Sequence, residues 1–187
     1  MAFNNQEDRP YNPRQIILSA AKDWIKAALA IVIKVDKVHS FISWIPPGPA
    51  QFKLNVDGSR RTSSGCIGVG GVIRDASGSW IGGLSVNLGQ GHILDAEIWG
   101  LYFGLKLAVT QGITCLIIEM DAAVVVQLVK NIDALAHHPF ASLINACCAL
   151  MKHVDNCTLL HIYREGNSVA NGLPKLELQL RPGYPLF

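Results

Sequence analysis

The sequence is short of charge, of long apolar runs and of any ordered cysteine pattern, and each shortage excludes a class of function. Its 187 residues carry 16 Lys and Arg against 14 Asp and Glu, a formal charge of +2, and from residue 50 onward the two signs balance. A domain basic throughout would announce a nucleic-acid partner; here any site for a polyanion has to be local. The most apolar early run, residues 27–33, is far too short to span a bilayer, so no membrane partner is expected. The first fifteen residues include Glu7, Asp8, Arg9 and Arg14 and have no secretory signature. The five cysteines contain no C-x-x-C pair and no interleaved His at zinc spacing, which excludes a zinc module. An odd number, with Cys147 and Cys148 adjacent, argues against a disulfide framework and for reduced thiols in an intracellular protein, nuclear or cytoplasmic rather than organellar. No internal repeat is visible, and a monomer is expected. What is present is apolar material: 50% of residues are hydrophobic, enough for the core of one domain plus an extension.

Residues 1–14, with Pro10 and Pro13, read as a loose lead-in. From Gln15 to about Val38 the apolar positions Ile16, Ile17, Ala20, Trp24, Ala27, Ala28 and Ile31 fall near helical spacing. One amphipathic helix is predicted there, resting on the following domain or left from a longer parent protein; a membrane-surface or transit helix is the other reading, against which Asp23 counts. Pro46, Pro47 and Pro49 forbid a helix and give a stiff linker after Trp44. The organisation expected is an extension over 1–49, a domain over 50–178 and an irregular tail over 179–187.

Phe52, Leu54 and Val56 alternate with Lys53, Asn55 and Asp57, the period of a strand with one buried face, which places Asp57 with Lys53 and Asn55 at the strand's end. Asp57-Gly58 is also a turn signal, and residues 58–64 are expected to turn. Residues 66–74 and 80–88 read as two further strands of an antiparallel meander. Gly65, Gly68, Gly70 and Gly71 invite a dinucleotide-loop reading, but such a loop opens a helix and here another strand follows, so bulges or close backbone approach fit better. Asp95 is placed as N-cap of a helix over 96–111 that Gly112 stops, with Glu97 in its first turn. Residues 114–120 form a continuous apolar run, a buried parallel strand ending at Asp121. A helix over 122–130, another over 140–154, a fifth strand over 157–163 and a weaker helix over 167–178, interrupted by Pro174, complete the pattern. His137 and His138 lack the spacing of a metal pair and read as loop. The fold class is α/β, a five-stranded mixed sheet, three antiparallel strands then two parallel ones, flanked by helices.

In such a sheet the C-terminal ends of two parallel central strands meet, so Asp57, Glu97 and Asp121 can converge. Three carboxylates together repel unless a cation binds, and oxygen donors of this kind suit Mg²⁺ or Mn²⁺; paired ions about 4 Å apart can activate water for phosphodiester cleavage.

The residues now carry a resemblance. The stretches KLNVDGS (53–59), GVGGVIRDASGSW (68–80), DAEIWGLYFGLKLA (95–108), IIEMDAAVVVQLV (117–129) and HIYREGNSVAN (161–171) resemble, in order and spacing, the ribonuclease H family. They are most similar to the reverse-transcriptase-like domains abundant in plants and derived from retroelements, and the tryptophan and proline linker upstream fits as well. The resemblance implies a ribonuclease H-like fold and four carboxylates holding two Mg²⁺ ions, Mn²⁺ being possible, which cleave the RNA strand of an RNA–DNA hybrid. Asp57, Glu97 and Asp121 match the first three carboxylates. The fourth belongs at the end of the pattern Asn, two variable residues, Ala, Asp, where this chain has Asn171 after Asn167 and Ala170. Asn offers a neutral carbonyl oxygen without the charge, and loss of one ligand from a cooperative site costs orders of magnitude in rate. Leu173-Pro174-Lys175 also departs from the usual Leu-Ala-Lys. His161 matches a mobile histidine of the family that assists proton transfer or product release; a strand-end histidine with a hydrogen-bonding role is the alternative. Arg60, Arg61 and Arg164 are candidates for phosphate contacts, and Asn55 and Ser59 for the RNA strand, whose 2′-hydroxyls distinguish it from DNA. Two functions stay open: a metal-dependent hybrid endonuclease with a degraded fourth ligand, or a non-catalytic nucleic-acid-binding or interaction module that keeps the fold.

Overall fold

A computed structural model describes residues 44–135, 138–167 and 170, all within the unit Phe41–Phe187. The helix expected at 15–38, most of the one expected at 167–178, and Asn171 lie outside the described residues. Strands β1 (Phe52–Arg60), β2 (Cys66–Arg74), β3 (Trp80–Gln90), β4 (Cys115–Met120) and β5 (Asn156–His161) alternate with helices α1 (Ile93–Thr110), α2 (Ala123–Lys130) and α3 (Ala141–Met151). Short 3₁₀ turns cover Ile132–Leu135 and Arg164–Asn167. The sheet order is β3-β2-β1-β4-β5; β1, β2 and β3 pair antiparallel, while β4 joins β1 and β5 in parallel. This is the five-stranded mixed sheet expected.

The alternation in β1 sorts the molecule into two faces. Leu54 and Val56 join Ile73, Leu116, Ile118 and Met120 under Ile98, Leu101 and Leu105 of α1, Val125 of α2 and Ile144 of α3, all buried. A smaller apolar cluster of Ile67, Val69, Leu84 and Ala96 packs against Trp99 and Phe103, whose rings stack 5.4 Å apart. The α1 axis runs close over β1 because the contact points are glycines. A Cβ on Gly104 would fall 2.7 Å from Val56 Cγ1, and one on Gly58 would fall 2.6 Å from the backbone nitrogen of Glu97.

The opposite face of β1 is polar and nonetheless buried. Lys53 Nζ makes an ion pair of 2.7 Å with Glu119 Oε1 and donates at 2.7 Å to the Ile45 carbonyl. Asn55 Nδ2 donates to Glu119 Oε2 at 2.9 Å, while Asn55 Oδ1 accepts from Arg74 Nη2 at 2.7 Å. The Arg74 guanidinium lies 3.6 Å from the centre of the Trp44 ring. Trp44 and Ile45, in the stretch read as linker, thus contact the sheet.

Two boundaries near the acidic residues differ from expectation for local reasons. β1 continues through Gly58 and Ser59 to Arg60, because its antiparallel pairing with β2 persists to Arg60↔Ile67. Asp57 is therefore not the end of the strand; it lies beyond the last parallel pair with β4, Asn55↔Glu119. α1 starts at Ile93 instead of Ala96, with His92 as N-cap and Asp95 as its third residue, whose carboxylate accepts from the His92 N–H at 2.7 Å.

Candidate active site

Where β4 ends, β1 runs on alone along one edge, and that unpaired edge organises the site. Backbone groups two residues apart on a strand face the same side, so the Val56 carbonyl and the Gly58 N–H both point where β4 would have continued. Each finds a side-chain partner. Asn167 Nδ2 donates to Val56 O at 2.8 Å, and Glu97 Oε2 accepts from the Gly58 N–H at 3.2 Å. Glu97 arrives from α1 as its fifth residue, just past the first turn because the helix starts at Ile93, and Asn167 from the 3₁₀ turn after β5.

Asp57, Glu97 and Asp121 converge there, each offering a carboxylate oxygen within 4.8 Å of the others. Among the described residues no second cluster of three or more His, Cys, Asp or Glu groups could hold a metal ion. Asp57 is 3% exposed; Glu97 and Asp121 are half-buried. The mutual repulsion is visible in Glu97, whose pKa is pushed up to about 8, first by burial, then by the charges of Asp57 and Asp121; the Gly58 N–H bond and the positive charge of Arg164 oppose the rise. A site that protonates one of its own acids near neutral pH has a deficit of positive charge. The donor set, three carboxylates of mixed burial, fits a hard divalent cation.

Glu119, two residues before Asp121, is acidic too but takes no part in this cluster, both its oxygens being engaged by Lys53 and Asn55. Asn55 is fully buried with both ends of its amide engaged inside the protein, which leaves neither end for a nucleic acid. Ser59 is half-buried and Arg61 exposed. Arg60 donates through Nε to the Gly91 carbonyl at 2.9 Å and lines an open depression with Ser64, Gly65, Gln90, Gly91 and His92. That depression joins the end of β1 to the start of α1, the two elements that supply Asp57 and Glu97. Arg164 is exposed in the turn after β5. His161 stands exposed at the end of β5, with its ring 6.1 Å from that of Tyr163 and outside the carboxylate cluster. Asn167 is the residue whose role sequence reasoning missed: it also donates to Asp121 Oδ1 at 3.2 Å, a contact spanning 46 positions. The only signal was its fixed place ahead of residue 171 in the final motif.

The family described as reverse transcriptase-like matches residues 55–176. A protein of Arabidopsis thaliana that bears a provisional ribonuclease H name is 33% identical over 155 residues, which is 83% of this chain and 25% of that one. The chain thus spans about a quarter of this curated relative's length. Among solved structures, the N-terminal RNase H domain of a Mycobacterium tuberculosis protein superposes with a TM-score of 0.64 at 25% identity, covering 69% of this chain and 94% of the other. The RNase H1 of Halobacterium salinarum gives 0.63 at 20% identity, with 69% and 98% covered. An RNase H1 called LC11, solved in complex with an RNA/DNA hybrid, gives 0.60 at 21% identity, with 67% and 95% covered. With its sheet order, its helices and its match over residues 55–176, the chain belongs to the reverse transcriptase-like family and has the ribonuclease H-like fold.

Proposed function

We propose that this domain binds RNA–DNA hybrids and cleaves the RNA strand by metal-dependent hydrolysis, at a rate held down by Asn171. The convergence of Asp57, Glu97 and Asp121 within 4.8 Å carries the reading. These three carboxylates would hold Mg²⁺ or Mn²⁺, which when bound supplies the positive charge that offsets them and a scissile phosphate. Asp57 stands within the β1–β2 ladder, while Glu97 and Asp121 approach from separate elements. Ser59, Arg60 and Arg61, at the end of β1 and just after it, and Arg164, in the turn after β5, are assigned to the nucleic-acid backbone. His161, exposed and one strand away, is the group available to move a proton at its imidazole nitrogen.

The test is a hybrid-cleavage assay with Mg²⁺ or Mn²⁺. Slow cleavage is expected from the unaltered chain, none from Asp57→Asn, and at least a tenfold gain from Asn171→Asp, which restores the missing negative charge. Asn171 itself favours a second reading, binding without cleavage. Hybrid binding with no cleavage from either the unaltered chain or Asn171→Asp would select that reading.

The raised pKa of Glu97 gives a prediction independent of turnover. Between its ordinary value of 4.5 and about 8 the folded metal-free protein keeps a proton that the unfolded chain has lost. Stability from this group is therefore complete below about 4.5, falls as pH rises through that window and is gone above about 8. Melting curves should show Tm dropping by roughly 5 °C or more across this range, a drop that Glu97→Gln removes. Millimolar Mg²⁺ at pH 8 should raise Tm. An unchanged Tm between pH 5 and 9, in both forms, would contradict the burial of an acid beside Asp57 and Asp121.

A further inference from the structure

We infer that Asn167 is a positioning residue for the acidic site: it fixes the rotation of the Asp121 carboxylate and locks it to the free edge of β1. The inference rests on the metal-site reading above and adds to it a residue that touches neither a cation nor a substrate.

Asn167 is 1% exposed. One amide proton goes to the Val56 carbonyl at 2.8 Å and the other to Asp121 Oδ1 at 3.2 Å. Both acceptors lack protons to give, so the amide cannot be flipped without setting oxygen against oxygen, and its orientation is determined by chemistry. Its own Oδ1 is buried with no partner. Burying an acceptor without a partner costs free energy, and core filling alone would favour an apolar side chain at this place. The side chain is held there by what its nitrogen donates. One donation closes the gap left in the sheet where β4 stops after Met120. The other spans to the residue that follows β4 and carries the third carboxylate. A single side chain thus ties Asp57's strand, at the residue just before Asp57, to Asp121. No other uncharged residue of similar size offers two coplanar protons for this bridge: Asp has no proton to donate when ionised, and Leu has none at all.

The experiment uses the full chain and Mn²⁺ alone as probe, with the free ion followed by electron paramagnetic resonance, at a temperature well below Tm. Asn167→Ala is expected to weaken Mn²⁺ binding tenfold or more, while Ile144→Ala, which removes core packing from α3 but none of the side-chain hydrogen bonds at the β1 edge, binds as the unaltered protein does. Should circular dichroism show Asn167→Ala unfolded, Asn167→Ser takes its place with the same expectation. Unchanged Mn²⁺ affinity in a folded Asn167 variant, while Asp57→Asn abolishes binding, overturns the positioning role and leaves the metal site standing. An equal loss in Ile144→Ala shows that the effect is general loosening and also overturns it. If the unaltered protein binds no Mn²⁺, the metal-site reading and this inference fall together.

Discussion

Gly58→Ala is expected to cost about 2–4 kcal/mol and to abolish divalent-cation binding, although the change adds one methyl group and removes no functional atom. The added Cβ would lie 2.6 Å from the Glu97 nitrogen, 2.7 Å from the Ala96 carbonyl carbon and 2.8 Å from Ala96 Cβ. Two of these neighbours are helix backbone, so no side chain can swing away. The N-terminal part of α1 around Ala96 and Glu97 has to retreat from β1 by on the order of 1 Å, and protein interiors resist such shifts. That segment carries Glu97, whose 3.2 Å contact with the Gly58 N–H would open. Gly100 supplies the internal comparison. A Cβ there would meet the Asp57 carbonyl oxygen at 3.4 Å, an ordinary contact, and alanine in mid-helix is favoured over glycine by roughly 1 kcal/mol. Gly100→Ala should therefore be neutral or stabilising in urea denaturation while Gly58→Ala is severe. Equal stabilities for the two variants would refute the close approach of α1 to β1.

The same position shows what could be read in the sequence and what could not. The glycine after Asp57 looked like a turn residue, and the turn reading was wrong because strand length is decided by pairing with β2, which continues to Arg60. Its real constraint, a helix start arriving 39 positions later, has no local trace. Alternation along β1 sufficed to separate an apolar from a polar face, and the continuous apolar run at β4 sufficed for a central parallel strand. Together they bring Asp57 and Asp121 to one edge, and Glu97 near the N-terminus of α1 completes the group. Asn55 shows the limit of that logic. Its place on the polar face suggested exposure, yet it is wholly buried, since its partners Arg74 and Glu119 come from the two neighbouring strands. Period two identifies a face; it says nothing of whether the face is wet. Asp95 was read as a cap because caps and third positions share residue types, and the two are distinguished only by where the helical hydrogen bonds begin. Asn167 is legible only once the chain has folded, because one of its acceptors lies 111 positions away.

The buried polar face leads to the second large effect, Lys53→Ala, which should destabilise the domain by about 3–5 kcal/mol. Lys53 and Glu119 side chains are 9% and 10% exposed, and their 2.7 Å ion pair is sealed from solvent on a sheet face. Removing the lysine leaves the Glu119 charge with only Asn55 Nδ2 as a direct donor, and strips the Ile45 carbonyl of its donor as well. The cost arises from the stranded charge more than from the lost attraction, and a double replacement separates the two. Lys53→Met with Glu119→Gln removes both charges, keeps the methylene packing and preserves an acceptor for Asn55, so it should recover most of the loss. Glu119, in β4, sits two residues before Asp121, which follows that strand, and Asn55 two before Asp57 on β1. A stranded Glu119 would leave an unbalanced negative charge close to three carboxyl groups that already hold Glu97 protonated near neutrality. Lys53→Ala should therefore also lower the Mn²⁺-induced gain in Tm by loosening the strand ends. The double variant should restore that gain, because neutralising both partners returns the face to balance. A double variant as unstable as Lys53→Ala alone would mean that the pair acts through shape and not through charge.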